Sequence, residues 1–236
     1  MGRAFEYRKA RKEKRWGQMA KTFTKIGREI SIAVKEGGPD PSTNARLRAA
    51  MQNARGANMP KDTVEAAVKR ASEKGEKDFN EVVYEGYGPH GVPIMVECAT
   101  DNPVRTVANL RVYFSRSGGA LGTNGSVDFM FSRKGVFRIP SEGVDLDELE
   151  LDIIDFGAEE IKLQEDEIEI ITAYTDFGNM QKGLEEKGIT VTNASLQRIP
   201  MSTKDDLTDE QADDVEGLLD KLDDDDDVLA VFHNMA

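Results

Sequence analysis

The chain has 236 residues, of which 39% are hydrophobic and 32% charged, so it holds enough apolar material for packed cores and is too apolar for a disordered chain. It contains no run of eighteen apolar residues, so no transmembrane helix is predicted. The start, MGRAFEYRKARK, has no apolar stretch, so we expect no secretory signal. A single cysteine, Cys98, allows no intrachain disulfide, and we therefore expect a reducing, cytoplasmic location.

The charge is distributed unevenly along the chain, whose formal net charge is −13. Residues 1–80 hold 19 basic and 10 acidic side chains, a net charge of +9, and the remainder therefore carries −22. This asymmetry suggests that one part contacts a polyanion while the rest keeps the protein soluble. The alternative is that basic residues cluster by chance on a solvated helix.

The most basic segment is the string RKARKEKRW at positions 8–16, which we call the basic arm. Its cations are Arg8, Lys9, Arg11, Lys12, Lys14 and Arg15. Such side chains neutralise phosphates and release counterions when they bind nucleic acid. We also expect the arm to be disordered in the free protein and to order on nucleic acid. Trp16 would either stack on an unpaired base or fix the arm to the protein, and the sequence leaves both open.

Three helices are predicted after the arm, and they form a small helical unit. The first spans residues 18–36, with an apolar side around Phe23, Ile26 and Ile30. The opposite side carries Lys21, Lys25, Arg28 and Lys35 within an arc of roughly 80°. The second helix is predicted to begin at an Asp40 N-cap with Pro41 in first place, and it carries Arg48 and Arg55 on one face. The third begins at Pro60 and is predicted to end at Gly75.

The pattern then changes to strands that alternate with helices. A hairpin is predicted over residues 82–100, followed by a helix over 103–117, a flexible loop GGALGTNG over 118–125 and a strand over 126–134. Residues 135–202 follow a β-α-β-β-α-β order, which is the ferredoxin-like arrangement. The last helix and the strand Val228–His233 cannot form a domain alone, so we expect them to complete the sheet of residues 78–134.

The predicted fold class is therefore α+β, with a basic arm and three-helix unit followed by two ferredoxin-like α/β sandwich domains, the second inserted into the first. The predicted boundaries are residues 1–77 for the helical domain, 78–134 plus 203–236 for the discontinuous domain and 135–202 for the inserted domain.

Long, irregular blocks of the sequence resemble the signature blocks of the YebC/PmpR family. They are GGPDPSTNARLRAAMQNARGANMPKD, YEGYGPHGV, TDNPVRT and GGALGTNGSVDFMF, and they cover about half the chain. The family is described as probable transcriptional regulatory proteins and includes the mitochondrial translational activator of cytochrome c oxidase. The resemblance implies a three-domain protein with a shared surface at the glycine-rich loop, near Arg105. Arg105 would either contact RNA or DNA or pair with an acidic neighbour, and the sequence leaves both roles open.

The opening of the chain departs from this family. The family usually begins with a Gly-His-Ser-Lys-Trp-Ala-Asn-Ile-Lys-His-type string, and here the His and Ser are absent while Trp16 follows the basic run. The opening keeps the positive charge of the family's string but not the residues that would make its detailed contacts. Polyanion binding is therefore still expected, whereas sequence-specific targets are not implied.

The motifs that indicate catalysis or a cofactor are absent from the sequence. The string GGALGTNGS has neither the G-x-G-x-x-G spacing nor a following Gly-Lys-Ser/Thr, so a nucleotide site is not expected. It predicts a turn that needs a left-handed residue with φ > 0, or a loop that lies against the helical unit. The run Asp223–Asp227 lacks the spacing of an EF-hand and is interpreted as a solvated turn, with weak cation binding or repulsion of misplaced nucleic acid as alternatives. Cys98 lies in an apolar strand and is expected to be an inert thiol. We expect no enzyme, no cofactor and no metal.

The sequence therefore predicts a nucleic-acid-binding regulator of gene expression. Its target would be double-stranded DNA, as the family's description implies, or ribosomal or transfer RNA, as the mitochondrial relative implies. A small-molecule or protein-binding module is the third alternative. The oligomeric state stays open, with a monomer as the working expectation, and no membrane contact is expected. The candidate contact residues are Arg8, Lys9, Arg11, Lys12, Lys14, Arg15, Trp16, Lys21, Lys25, Arg28, Arg48, Arg55 and Arg105.

Overall fold

The structure, a computed structural model, describes the backbone of residues 3–73, 78–164 and 166–236, and in these ranges the side chains from Met19 onward. In this part of the chain, three N-terminal helices precede two four-stranded antiparallel sheets. This arrangement confirms the predicted α+β fold class.

The helical unit consists of α1 (Arg3–Gly37), α2 (Ala45–Gly56) and α3 (Lys61–Ser72). Apolar residues at helical spacing on α1 pack against α2 and α3. The buried members of this core include Ile26, Ile30, Ala33, Val34, Leu47, Ala50, Ala54, Val64 and Ala67. Burial of this stripe accounts for the three-helix packing that the periodicity predicted.

The predicted start of α2 is wrong by four residues. Its N-cap is Asn44, whose Oδ1 accepts a hydrogen bond from the Leu47 amide at 3.0 Å. Asp40 instead closes a turn by accepting from the Ser42 amide at 2.9 Å. Both residue types favour caps and turns, so the local sequence did not distinguish them. Gly75, the predicted end of α3, lies outside the described residues.

Helix α1 begins at Arg3, whereas the sequence predicted a helix from residue 18 and a disordered arm before it. The segment 3–16 contains no glycine or proline and is rich in Ala, Arg, Lys and Glu, which are strong helix formers. A helix already nucleated at residues 19–37 extends through such a segment at little cost. At 1.5 Å per residue, a helix of 35 residues is about 52 Å long.

The first sheet is built by strands from both ends of the α/β region. Strands β1 (Asn80–Tyr87), β2 (Pro93–Thr100), β3 (Ala120–Leu121) and β8 (Val228–His233) lie in the order β3-β1-β2-β8. Helices α4 (Pro103–Arg116) and α7 (Asp209–Asp223) pack on one face. Strand β8 pairs with β2, so the last strand joins the first sheet as predicted.

The second sheet has the strand order β5-β6-β4-β7. Its elements are β4 (Phe131–Pro140), α5 (Leu146–Ile153), β5 (Ala158–Gln164), β6 (Glu167–Ala173), α6 (Phe177–Glu186) and β7 (Asn193–Pro200). Both helices bury apolar side chains, such as Leu149, Ile153 and Leu184, against the sheet residues Phe137 and Ile170. This is the β-α-β-β-α-β arrangement expected from the sequence.

Two strand predictions at the junction of the sheets are wrong. Residues 126–134 do not form a strand of the first sheet, because β4 runs without a break from Phe131 and pairs with β7. The third strand of the first sheet is instead β3, which lies in the segment predicted to be a flexible loop. The predicted boundary between residues 134 and 135 thus falls inside β4, and the three-domain division itself remains a prediction.

Helix α2 attaches the helical unit to the second sheet. The Asn53 side chain donates to the Ala194 carbonyl at 2.8 Å and accepts from the Ala194 amide at 2.7 Å. Ala49 is buried in the core of the second sheet. A Cβ placed on Gly56 would lie 2.0 Å from the Thr192 carbonyl oxygen. Close backbone approach at Gly56 therefore sets this junction.

We expect Gly56→Ala to destabilise the protein by about 1–3 kcal/mol, because the methyl group overlaps a backbone atom that has little room to move. Gly217→Ala is the matched control, since a Cβ at this position in α7 meets nothing within 4 Å. Alanine there is expected to stabilise by up to about 1 kcal/mol through helix propensity. Urea unfolding midpoints compare the two, and equal midpoints would contradict the close contact with Thr192.

Candidate nucleic-acid interface

Three of the four cations on the α1 basic face lie against the run Asp223–Asp227, which we call the acidic loop. Lys21 forms an ion pair with Asp224. The Lys25 Nζ lies 3.0 Å from Asp223 Oδ1, and the Arg28 Nη1 lies 3.0 Å from Asp227 Oδ1. The spacing of four and three residues places these cations on one side of two helical turns. Three predicted contact residues therefore already face carboxylates of the same chain.

Asp227 is the centre of this contact and is 3% exposed. Its carboxylate accepts from Arg28 at 3.0 Å, from Arg105 at 2.7 Å, from the Thr106 hydroxyl at 2.8 Å and from the Thr100 hydroxyl at 3.1 Å. Burial raises the pKa of this carboxyl, but the hydrogen bonds from Arg105, Thr106, Arg28 and Thr100 together hold the pKa below its usual 3.8. The ionised carboxylate of Asp227 is thus hydrogen-bonded by four side chains.

The acidic loop is not the solvated turn that the sequence suggested. Asp225 Oδ2 accepts from the Tyr113 hydroxyl at 3.0 Å and from the Asn109 amide at 3.3 Å, both on α4. Asp225 Oδ1 accepts from the Asp227 amide at 2.9 Å, which fixes the turn into β8. Asp226, by contrast, is exposed. The interpretation is therefore wrong for Asp225 and Asp227, whose partners lie more than a hundred residues earlier in the chain.

Arg105 belongs to this charge cluster. Asn102 caps α4 by accepting from the Arg105 amide at 3.1 Å, and this places the Arg105 side chain beside Asp227 and Asp101. These hydrogen bonds raise the pKa of the guanidinium above its already high usual value. Of the two roles that the sequence left open, pairing with acidic neighbours is present in the structure. Contact with nucleic acid stays a prediction.

Arg48 and Arg55 occupy different surroundings, although both lie on α2. Arg48 donates to the Pro41 carbonyl at 2.7 Å and to the Ser42 carbonyl at 3.1 Å, and it lies 3.8 Å from a Glu185 oxygen on α6. It therefore stabilises the loop before its own helix. Arg55 is exposed and makes no ion pair with another described side chain. The structure does not join these two arginines to the α1 cluster.

The side chains of the basic arm and of Trp16 lie outside the described residues. What the structure adds is the backbone, which is helical without a break from Arg3 through Lys21 and Lys25. The predicted contacts of Arg8, Lys9, Arg11, Lys12, Lys14 and Arg15 thus remain predictions.

The glycine-rich loop is organised by Glu85, a residue that the sequence did not single out. Its carboxylate accepts from the amides of Gly125 at 2.7 Å, Val127 at 2.8 Å and Asp128 at 2.9 Å. Burial raises the pKa of Glu85, while these three amides and Arg198 outweigh it and lower the pKa below its usual value. Gly125 has φ +83°, so the predicted need for a left-handed residue is confirmed. The sequence signal that could have identified Glu85 is its position as an acidic residue within an otherwise largely apolar strand.

The described residues provide no reactive thiol, metal-ligand cluster or membrane-spanning helix. Burial raises the pKa of the Cys98 thiol to about 12, which makes it the inert thiol that we expected. Among the described residues, no group of three or more His, Cys, Asp or Glu side chains is placed to hold a metal ion. None of the described helices is long and apolar enough to cross a membrane.

Comparison with known proteins identifies the family. The model of the TACO1/YebC N-terminal domain matches residues 3–74, and the model of the TACO1/YebC second and third domain matches residues 79–235. The chain belongs to the TACO1/YebC family. Within this family the resemblance seen in the signature blocks extends over almost the whole sequence, including the opening that departs from the usual string.

Relatives in the TACO1/YebC family match the chain over its full length. A probable transcriptional regulatory protein of Cytophaga hutchinsonii is 59% identical over 100% of this chain and 99% of its own length. One of Flavobacterium johnsoniae is 54% identical over the same shares. The crystal structure of a conserved hypothetical protein from Aquifex aeolicus superposes with a TM-score of 0.83 at 38% identity, covering 93% of this chain and 90% of that one. The names of the Cytophaga and Flavobacterium relatives describe probable regulators, whereas the name of the Aquifex protein states no function.

We expect Asp227→Asn to destabilise the protein by about 3 kcal/mol, because Arg28 and Arg105 lose the charge that compensates them. Since the pKa of Asp227 is depressed, its contribution is present above pH 3.8 and disappears only as the pH falls below that value. Urea unfolding of the variant at pH 7 and at pH 3 measures both effects.

The control for this prediction is Asp226→Asn, which removes the same charge from an exposed position in the acidic loop. Its expected effect is within about 0.5 kcal/mol. If both variants unfold at the same urea concentration at pH 7, Asp227 does not have the central role assigned to it.

Proposed function

We propose that this protein is a non-enzymatic, cytoplasmic regulator of gene expression that binds nucleic acid through helix α1. The observation that carries the proposal is the charge of this helix. It holds eleven basic and four acidic side chains, in a chain whose net charge is −13. Phosphate neutralisation is the chemistry that such a cationic helix performs.

Helical geometry gives the basic arm a defined direction. At 100° per residue, positions 8, 11, 12 and 15 fall within an arc of about 100°, in line with the apolar stripe of Ile26 and Ile30. Phe23 is the first described residue of α1 that packs on the helical core. The stripe that packs the core is thus succeeded, toward the N-terminus, by a cationic one. A cationic stripe that continues beyond a folded unit suits contact with a run of phosphates.

The acidic part of the chain would restrict where nucleic acid binds. Outside residues 1–80 the net charge is −22, and like charges repel a polyanion over roughly a Debye length, about 8–10 Å at physiological salt. Attraction from α1 and repulsion from the two sheet regions together would confine nucleic acid to the helical unit.

The names of the relatives support DNA as the first target to test, and RNA is the alternative outcome of the same experiment. Ultraviolet crosslinking in cells, followed by sequencing of the attached nucleic acid, separates them. Crosslinks at discrete promoters would support a transcription regulator, whereas crosslinks on ribosomal or transfer RNA would support a translation factor. Crosslinks to neither would contradict nucleic-acid binding and favour a small-molecule or protein-binding module.

We expect replacement of the six arm cations by Gln to weaken binding to a nucleic-acid duplex by roughly 100-fold or more at 50 mM salt. The logarithmic salt slope should become shallower by up to about five, since each phosphate contact contributes about 0.9. Fluorescence anisotropy with a labelled duplex measures both quantities. The changed residues are Arg8, Lys9, Arg11, Lys12, Lys14 and Arg15.

A control variant changes the net charge by the same amount outside the helical unit, and it should bind as the wild type within about fivefold. If the two variants lose affinity equally, the overall charge and not the arm determines binding. The control replaces Arg111, Arg116, Lys162, Lys182, Lys187 and Lys221 by Gln.

A further inference from the structure

Lys21 and Lys25 continue the cationic helix that the proposed function requires, yet both are paired with carboxylates of the acidic loop. We propose that Asp223 and Asp224 are an intramolecular competitor for this face of α1, and that nucleic acid displaces them while Asp227 stays bound. This inference rests on the proposed function and adds a regulatory contact to it. The acidic loop would then be an autoinhibitory element.

The ion pairs differ in exposure, and this difference separates an anchor from an exchangeable contact. The side chain of Asp227 is 5% exposed and that of its partner Arg28 is 16% exposed. The side chains of Asp223 and Asp224 are 66% and 69% exposed. Solvent-exposed pairs are weak and are screened by salt, whereas a buried and fully hydrogen-bonded carboxylate is not released without a large penalty.

The loop is fixed in place independently of the two exchangeable residues. Asp225 is hydrogen-bonded to Asn109 and Tyr113 on α4, and Asp227 is bonded to Thr100, Thr106 and Arg105. Asp223 and Asp224 are therefore held beside α1 by their neighbours in sequence and not only by their own lysines. A competitor held in this way acts at a high effective concentration, as a tethered ligand does.

The position of the two aspartates makes them responsive to a polyanion. They stand at the C-terminal end of α7, where the helix dipole disfavours negative charge. Lys21 and Lys25 offset this cost when they pair with them. Phosphates that take over the lysines leave the aspartates unpaired beside further negative charge. Displacement is thus unfavourable for a single phosphate and becomes favourable for a polyanion that also contacts the basic arm.

The test is the affinity of the full-length protein for a labelled 20-base-pair DNA duplex and for a labelled 20-nucleotide RNA, measured by fluorescence anisotropy between 50 and 200 mM salt. The double variant Asp223→Asn with Asp224→Asn should bind about tenfold more tightly at 50 mM salt, because each exposed pair contributes at most about fivefold. Its logarithmic salt slope should be steeper by up to about 1.8, or 0.9 for each released lysine.

The matched control is Asp220→Asn with Asp226→Asn, which removes the same charge from two exposed residues of the same region. Neither side chain has a hydrogen bond or ion pair with another described residue. The control should bind within about twofold of the wild-type affinity, because these two aspartates pair with no described lysine of α1. An equal gain in both double variants would overturn the proposal, because it would show a general charge effect.

A mutant cycle identifies the lysines as the point of action. In a protein with Lys21→Gln and Lys25→Gln, the gain from Asp223→Asn with Asp224→Asn should vanish, since there is no cation left to release. A gain that persists in this background would contradict competition at α1. Inorganic phosphate at the same ionic strength should compete no better than chloride with the duplex for the wild-type protein. Stronger competition by phosphate would contradict the requirement for a polyanion.

The design also separates this inference from the proposed function. If the wild-type protein binds neither duplex nor RNA, both the proposed function and the inference fail. If it binds, and binding depends on the arm cations, but the cycle shows no coupling between the aspartates and the lysines, only the inference fails.

Discussion

The burial of one carboxylate, that of Asp227, is the constraint on which the arrangement of the helical unit and the first sheet depends. A buried carboxylate must be fully hydrogen-bonded, because its desolvation is otherwise prohibitive. Here the donors come from α1, from the end of β2 and from the first turn of α4. Satisfying this charge therefore contributes to fixing the position of the cationic helix relative to the sheet.

Polar contacts supply the other junctions of the molecule as well. Asn53 on α2 pairs with both backbone groups of Ala194 at the edge of the second sheet. Between the sheets, Arg198 on β7 donates to Glu97 at 2.8 Å and to Asp128 at 2.9 Å. Each region has its own apolar core. Apolar contacts also join the regions, through Ala49 in the second-sheet core and through Met95 packed with Phe131 between the sheets, beside these charged and hydrogen-bonded links. Such links are directional, so they fix orientation, and they respond to salt and to charged ligands more than an apolar interface does.

The distribution of charge gives these links a functional meaning. The helical unit would attract a polyanion, the acidic sheet regions would repel it, and the acidic loop is one of the places where they touch. A cationic helix whose inner end is neutralised by its own chain presents its full charge only toward the N-terminus. Regulation of this kind needs no large movement, because exchange of one carboxylate for one phosphate at a lysine is a local event.

The sequence by itself determined those features that depend on neighbouring residues. Apolar periodicity located the three helices of the helical unit, and the β-α-β-β-α-β order of residues 135–202 was also predicted. The apolar run after Asp227 was predicted as a strand with the observed bounds of β8, Val228–His233. The positions of the charged residues along the chain established the charge asymmetry, and the irregular signature blocks pointed to the family. The helicity of the arm could have been predicted from its composition, and the clustering of its charges drew attention away from its helix-forming residues.

Only the tertiary structure decided which residues meet. The pattern of residues 126–134 suits a strand, but pairing with β7 determines that the strand begins at Phe131 and continues to Pro140. Lys21 and Asp224 are 203 positions apart, and they meet because β8 returns to the first sheet and brings the acidic loop to α1. A local pattern records whether a side chain is charged and on which side of its helix it lies. It does not record the partner, because the partner is set by long-range packing that buries Asp227 among donors from three distant segments.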